Sequence, residues 1–403
     1  MPTMPVSLAA RLDVVKPSAT LAINAKAQEL RARGVDVISF GAGEPDFNTP
    51  ENIRAAGVRA INEGKTRYTP VAGIAPLRAA IAEHSAATRG VPARPENVVV
   101  TVGAKGALFN LALALFEPGD EVVVPTPCWV SYPEQVRLCG AEPVFVPSTL
   151  ESGWKISPDD LARALSARTK AVVLCSPSNP TGAAYTADEL AALADVLRGS
   201  DCWVVLDEIY GELVYDGFAQ RSLLSVAPDL APRAVIIDGV SKTFAMTGWR
   251  VGWSIAPVAL SKAMETVQSQ GATSTATPSQ WAALEALRSP PLELAEMRAL
   301  FALRRDRLVQ GLRAVPGLRC AMPEGAFYAF CEVQGWIGRH TPQGARLDDD
   351  LAVAAWLLEE AHVAVVPGSA FMAPGHMRLS YAVSVEDIDR AVARITQAVA
   401  TLR

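Results

Sequence analysis

The run Val98-Val99-Val100-Thr101-Val102-Gly103-Ala104-Lys105-Gly106, continued by Ala107-Leu108-Phe109-Asn110-Leu111-Ala112-Leu113-Ala114-Leu115-Phe116, decides the architecture. Val98 to Val102 is β-branched throughout and reads as a strand. From Ala104 to Phe116 the period changes: Leu108, Leu111, Ala112 and Leu115 fall on one helical face, and Glu117-Pro118-Gly119-Asp120 stops the helix. Gly103-Ala104-Lys105-Gly106 is the turn between them, where unpaired N–H groups and the helix dipole favour an anion such as phosphate.

Working outward, the same rhythm of apolar run, turn and helix repeats. Further strands are expected at Glu121 to Val124, Pro143 to Val146, Ala171 to Cys175, Trp203 to Asp207, Ala234 to Asp238 and Val251 to Ile255, with helices at 186–198 and 258–269. Continuous apolar runs suit a mainly parallel sheet covered on both faces, hence an α/β fold. After Pro290-Pro291 a long charged helix begins, with Met297, Leu300, Phe301, Arg304, Arg305 and Leu308 at helical spacing. A domain junction is placed there. Gly335 to Asp350 reads as a surface loop.

The chain has 403 residues, half of them hydrophobic, and a formal net charge of -5. With no sustained Lys/Arg run, nucleic acid is not an expected partner. Arg11, Asp13 and Lys16 interrupt the first residues, which lack a signal-peptide layout, and no apolar run is long enough to span a bilayer. The expected location is cytoplasmic. Six cysteines without a C-x-x-C pair read as reduced structural thiols, and four scattered histidines give no zinc-ligand spacing.

Ligands of open α/β sheets collect beyond the carboxyl ends of the strands, so polar residues there carry most weight. Asp207 ends the run Trp203-Val204-Val205-Leu206, an expensive place for a carboxylate unless a cation pairs with it. Lys242 follows Val235-Ile236-Ile237-Asp238 and the turn Gly239-Val240-Ser241, so its amine should emerge at the same rim and could form an imine with an aldehyde once its pKa is depressed. Arg250, in Thr247-Gly248-Trp249-Arg250-Val251-Gly252, offers a permanent planar charge for a phosphate. Singly, each also has a plain structural role: a turn cap for Asp207, solvated surface charges for Lys242 and Arg250.

Jointly, their order resembles the fold-type I pyridoxal-phosphate (PLP) aminotransferases of class I/II, in the bacterial aspartate aminotransferase branch, across nearly the whole chain. The matching blocks are Gly41-Ala42-Gly43-Glu44-Pro45-Asp46-Phe47, Tyr68 with Ala72-Gly73-Ile74, Gly103-Ala104-Lys105, Ser178-Asn179-Pro180-Thr181-Gly182, Asp207-Glu208-Ile209-Tyr210, Ser241-Lys242 with Arg250, and Met377-Arg378-Leu379-Ser380.

The resemblance implies a large domain at 49–295, carrying a mainly parallel seven-stranded sheet, and a small α+β domain built from 1–48 and 296–403. It implies PLP held by Lys242 as a Schiff base, with the freed amine then serving as general acid and base. Asp207 would pair with the pyridine nitrogen, Tyr210 and Asn179 with the phenolic oxygen, and Trp129 would stack on the ring, where a core tryptophan is the bland alternative. Asn179 precedes Pro180, a bond often cis in the family. Gly103, Ala104, Lys105, Ser241 and Arg250 would hold the phosphate, joined by Tyr68 from a second subunit, so a homodimer with shared sites is implied. Many relatives carry a hydroxyl where this chain has Gly239. Arg378 would grip the substrate α-carboxylate, helped by Asn179 and the Gly43 backbone. Lys105 and Thr20 match residues for a distal carboxylate, and Lys16 matches one linked to prephenate. The activity implied is transamination between L-aspartate and 2-oxoglutarate by ping-pong half-reactions, with prephenate as a further acceptor. Transamination of aromatic or neutral amino acids, β-elimination on the same fold, and a PLP-sensing protein without turnover are the alternatives.

Overall fold

The computed structural model describes residues 8–15 and 19–403, with backbone alone at 19–22 and 24. Lys16 and the side chain of Thr20, both expected at the substrate site, therefore lie outside the described residues.

Seven strands form the main sheet: β1 (Val98–Val102), β2 (Glu121–Thr126), β3 (Glu142–Pro147), β4 (Thr169–Cys175), β5 (Trp203–Asp207), β6 (Ala234–Gly239) and β7 (Val251–Ile255). Their order is β1-β7-β6-β5-β4-β2-β3. β2 to β6 pair in parallel, and β7 alone is reversed, antiparallel to both β1 and β6. The fold is the α/β arrangement expected, and the strands fall within two residues of the sequence reading at either end.

Alternation along each strand divides the core. Val122, Val124, Val173, Val205, Val235 and Ile237 face one layer, shared with Leu108 and Leu111 of the helix Gly103–Leu115 and Leu260 and Met264 of the helix Val258–Gln270. Val123, Val172, Leu174, Val204, Leu206 and Ile236 face the other, with Leu190 and Leu193 of Ala187–Arg198 and Ala282 and Ala283 of Thr277–Arg288. Each such valine or leucine, being nearly wholly buried, contributes about 1.5–3 kcal/mol of transfer free energy. Thr186 accepts from the Glu189 N–H, and Glu189 reaches back, so a reciprocal cap starts the helix at 187.

A second core gathers Ile38 and Phe40 with residues from Phe301 to Leu402. Its antiparallel sheet runs Val366–Pro367, His376–Ser380, Tyr328–Glu332, Arg319–Cys320. The long helix expected after Pro291 spans Glu293–Arg313, and the last, Val385–Ala400, buries Ile388, Ala391, Ile395 and Val399 at helical spacing.

The segment 335–350 is the largely exposed loop that its polar composition predicts, with no helix or strand before Asp350, but it is pinned at a few buried points. Trp336 and Leu347 are buried, the Trp336 indole donates to the Pro316 carbonyl at 2.7 Å, and buried Asp350 accepts from both the backbone N–H and the hydroxyl of Ser369 at 2.7 Å. Two apolar anchors and one buried acid thus fix an otherwise exposed loop to the second core. The six cysteines are free thiols. Among the described residues, no helix is long and apolar enough to cross a membrane, and no His/Cys/Asp/Glu group could hold a metal ion.

Candidate active site

A cavity of about 600 Å³ opens at the carboxyl ends of β4, β5 and β6. Register explains its composition. Cys175 ends β4 opposite Asp207, which ends β5 opposite Ile237 of β6, and the chain beyond β6 turns at once into Ser241-Lys242. The reversal of β7 matters equally. Val251 pairs with Val102, so the residue before β7, Arg250, lies beside the end of β1, where the helix carrying Ala104 and Lys105 starts.

That corner is packed backbone to backbone. A Cβ on Gly252 would stand 2.3 Å from the Ala104 nitrogen, and one on Gly103, whose φ is +72°, would meet the Arg250 guanidinium at 2.6 Å. Glycine at both positions lets a guanidinium lie over a helix N-terminus, two positive features converging on one anion position. Arg250 is braced by its Nη1 donating to the Thr247 carbonyl at 2.8 Å. Gly239 explains the missing hydroxyl: its Cβ would lie 2.9 Å from Gly252 Cα and the Val251 carbonyl oxygen, so the strand contact leaves no room for a side chain.

Asp207 is buried at 4% exposure. It accepts from the Tyr132 hydroxyl at 2.6 Å and the Ile209 N–H at 3.3 Å, and burial pushes its pKa up to about 6 despite these donors. Lys242 lines the same cavity and donates to the Gly43 carbonyl. Burial, then the nearby Arg378 and Arg250 charges, lower its pKa to about 8, while Glu44 and Asp207 act against the shift. A neutral amine is thus within reach near neutral pH. The aromatic faces of Tyr210 and Phe327 lie 5.8 and 5.7 Å from the amine.

Arg378 enters from the second sheet, opposite Phe330 on the neighbouring strand. At 2% exposure its Nη1 donates to Asn179 Oδ1 at 3.1 Å and its Nη2 to the Gly41 carbonyl at 2.9 Å, while Nε has no partner among the described residues. The Asn179-Pro180 bond is cis, as are Thr126-Pro127 and Ser176-Pro177. Lys105 projects into the cavity with its amine 4.9 Å from the Trp129 ring, its pKa lowered by burial and by Arg250.

The cavity therefore gathers Gly43, Ala104, Lys105, Trp129, Asn179, Asp207, Tyr210, Ser241, Lys242, Arg250 and Arg378. Gly103 lies against Arg250, just outside the lining. Tyr68 is elsewhere, 90% exposed on the chain's own surface. Sequence reasoning missed Tyr132, Tyr328, Phe371 and Glu44. Tyr132 follows Trp129 by three residues at a helix start and could have been found by that spacing; Tyr328, whose hydroxyl meets that of Tyr210 at 2.8 Å, sits in an apolar strand and carries no local signal.

The family model for aminotransferase class I and II matches residues 35–395. The chain belongs to that family. This aminotransferase is 47% identical over 382 residues to an aspartate/prephenate aminotransferase of Cereibacter sphaeroides, covering 94% of this chain and 96% of the relative. It is 45% identical to an aspartate aminotransferase of Geobacillus stearothermophilus, covering 97% and 98%. Among solved structures, an aspartate aminotransferase from Rhizobium meliloti superposes with a TM-score of 0.96 at 42% identity, over 99% of this chain and 100% of that one. The Thermus thermophilus aspartate aminotransferase with maleate gives 0.92 at 44% identity, over 98% and 100%. The fold-type I assignment and the transaminase activity read from the sequence both stand.

Proposed function

We propose that this aminotransferase moves the amino group between L-aspartate and 2-oxoglutarate by alternating half-reactions, with PLP as cofactor and prephenate as a further amino acceptor. The observation that carries the reading is one cavity holding a depressed-pKa amine, Lys242, together with two cations suited to two carboxylates, Arg378 and Lys105. That a relative's structure is described with maleate, itself a dicarboxylate, supports the acidic preference.

The residues fit the cofactor. Asp207 is a buried carboxylate that forms no ion pair among the described residues, and Arg250 with the Ala104 and Lys105 N–H groups forms an anion cradle that a Cβ at Gly103 or Gly252 would fill. PLP supplies, when bound, an aldehyde for the amine and a cationic ring that accepts electrons from the substrate Cα. Lys242 Nζ would hold that aldehyde covalently until the substrate amine displaces it, and the freed amine would then be placed to take the Cα proton and return it on the cofactor side. Asp207, steadied by Tyr132, would keep the ring nitrogen protonated. Tyr210 and the Asn179 amide would donate to the phenolic oxygen, Trp129 would cover the ring, and Ser241 would join Arg250 on the phosphate. Arg378 Nε, buried and without a partner among the described residues, would take a substrate carboxylate oxygen, fixing Cα beside Lys242.

A homodimer with shared sites is part of the reading, on account of Tyr68. Its 90% exposure, away from its own cavity, suits a residue that completes the partner's phosphate site. We place the small domain at 1–48 and 296–403 and the large one at 49–295. The test is single-turnover spectroscopy: aspartate should convert the protein-bound PLP to its amine form at least about tenfold faster than alanine or phenylalanine does, the value of one charge-assisted contact. Equal or reversed rates would reject the acidic-substrate reading.

A further inference from the structure

Directly behind the cavity floor lies a buried ionic cluster that the reaction does not consume. Arg89 closes the short helical turn Ser85–Arg89, which ends at Gly90 in the left-handed region. Its guanidinium, 5% exposed, points under the sheet rim: Nε lies 3.1 Å from Glu208 Oε2, and Nη2 donates to Asp238 Oδ2. Both carboxylates are equally buried, at 5% and 6%.

The placement matters more than the pairing. Glu208 is the residue after Asp207, at the end of β5; Asp238 lies in β6, four residues before Lys242. The backbone is tied to the same group. Arg89 Nη2 reaches the Glu208 carbonyl at 3.4 Å, the Gly211 N–H donates to that carbonyl at 2.8 Å, and a Cβ on Gly211 would stand 2.2 Å from Arg89 Nη1. The turn 208–211, which carries Tyr210, is therefore moulded onto the guanidinium. On the β6 side the Gly239 N–H donates to Asp238 Oδ1 at 2.7 Å. One cation thus joins the two strand ends from which Asp207, Tyr210, Ser241 and Lys242 emerge.

We propose that Arg89 is a positioning residue for the PLP site: by clamping Glu208 and Asp238 it holds the two strand ends in register and sets the net charge that Asp207 and the cofactor experience from below. This rests on the cofactor reading above. The groups facing the cluster are Asp207 on β5, Ser222, and the His84–Glu212 pair at 3.0 Å, with Arg298 beyond Glu212. One cation stands against two carboxylates, so the balance is delicate. Burial raises Asp238 and pushes Glu208 up to about 7, with Arg89 opposing both shifts, and Asp238 in turn raises Asp207.

The test uses opposite charge changes at one place, read as the pKa of the visible chromophore that PLP forms with the protein, titrated spectrophotometrically in the holoenzyme. Glu208→Gln and Asp238→Asn each remove a negative charge and should lower that pKa by about 0.5 unit, the size of a neighbouring-charge effect across a partly screened distance. Arg89→Met removes the positive charge and should raise it. A packing defect alone would move all three variants the same way, so shifts of one sign, or no lowering in either carboxylate variant, would overturn the proposal. If Arg89→Met does not fold, the two isosteric carboxylate variants carry the test by themselves. A wild-type protein that forms no chromophore with PLP would sink the cofactor reading and this proposal with it, whereas a normal wild-type titration with unmoved variants sinks this proposal alone.

Discussion

Arg378→Met should separate binding from stability in a way that only a substrate-binding arginine allows. The side chain is 2% exposed and sits between the rings of Tyr328 and Phe371, 4.6 and 5.0 Å from the guanidinium carbon. Burial lowers its pKa, and only the Tyr328 and Tyr210 hydroxyls act to raise it, with no acid among the contributors. A buried cation without a counter-ion is costly in the substrate-free protein and becomes compensated when a carboxylate arrives. Two charge-assisted hydrogen bonds to that carboxylate, at about 1.5–3 kcal/mol each, amount to roughly 3–6 kcal/mol. At about 1.4 kcal/mol per tenfold, kcat/KM for aspartate should fall by roughly 10²–10⁴. Stability should move little. Removing the charge relieves its desolvation, while Asn179 Oδ1 and the Gly41 carbonyl lose their donors at about 1–3 kcal/mol each, so the terms offset and Tm should stay within about 5 °C. Arg378→Lys keeps the charge without the planar fork and should fall between. Steady-state kinetics beside thermal melts decide the matter: a loss in kcat/KM under about tenfold, or one explained by unfolding, would refute the assignment.

The amine of Lys242 gives a pH prediction. Only its neutral form attacks an aldehyde, so recombination of the PLP-free protein with PLP should accelerate as pH rises through about 8 and then level off; a midpoint near the unperturbed 10.5 would contradict a buried amine. Because the folded pKa lies below the unfolded one, the unfolded chain binds more protons between those values, and the PLP-free protein should also gain stability with rising pH across that window. Tyr68→Ala should weaken PLP retention about tenfold, the loss of one hydrogen bond to a charged group, and dilution of the wild type to monomers should do the same; undiminished retention in an isolated monomer would remove the shared site.

How far the sequence alone discloses this molecule depends on whether the governing interaction is local. Strands such as Trp203–Asp207 and the helix Gly103–Leu115 are legible because hydrophobic period and turn chemistry lie within one short window. Asp207, Lys242 and Arg250 are legible for a related reason, each being a charged residue at the edge of an apolar run. The loop 335–350 is legible as a loop, but the burial of Trp336 and Leu347 within it is not, because it is decided by Pro316 and the second core rather than by neighbours in sequence. Tyr132 and Tyr328 escape notice for the same reason: 75 residues separate Tyr132 from Asp207, and 118 separate Tyr328 from Tyr210. Arg89 is the extreme case. Nothing around it in sequence distinguishes it from a surface arginine, and its role depends on two strand ends 119 and 149 residues away.

The reversed strand β7 links these long-range facts to the chemistry. An all-parallel sheet would deliver to the rim only residues that follow strands, and the phosphate corner would then depend on a helix N-terminus alone. Running β7 backwards between β1 and β6 brings the residue that precedes a strand, Arg250, to the same rim and seats it against Gly103. The cavity consequently presents Lys105, Lys242, Arg250 and Arg378 against Asp207 and Glu44, a local excess of positive charge within a chain whose formal net charge is -5. Such an excess costs free energy unless anions fill it. On the proposed reading a phosphate and two carboxylates would balance that charge, so neutralising Lys105, which would face the distal carboxylate, should relax selection for dicarboxylates before it abolishes the chemistry at Lys242, whereas neutralising Arg378 should weaken every amino acid alike.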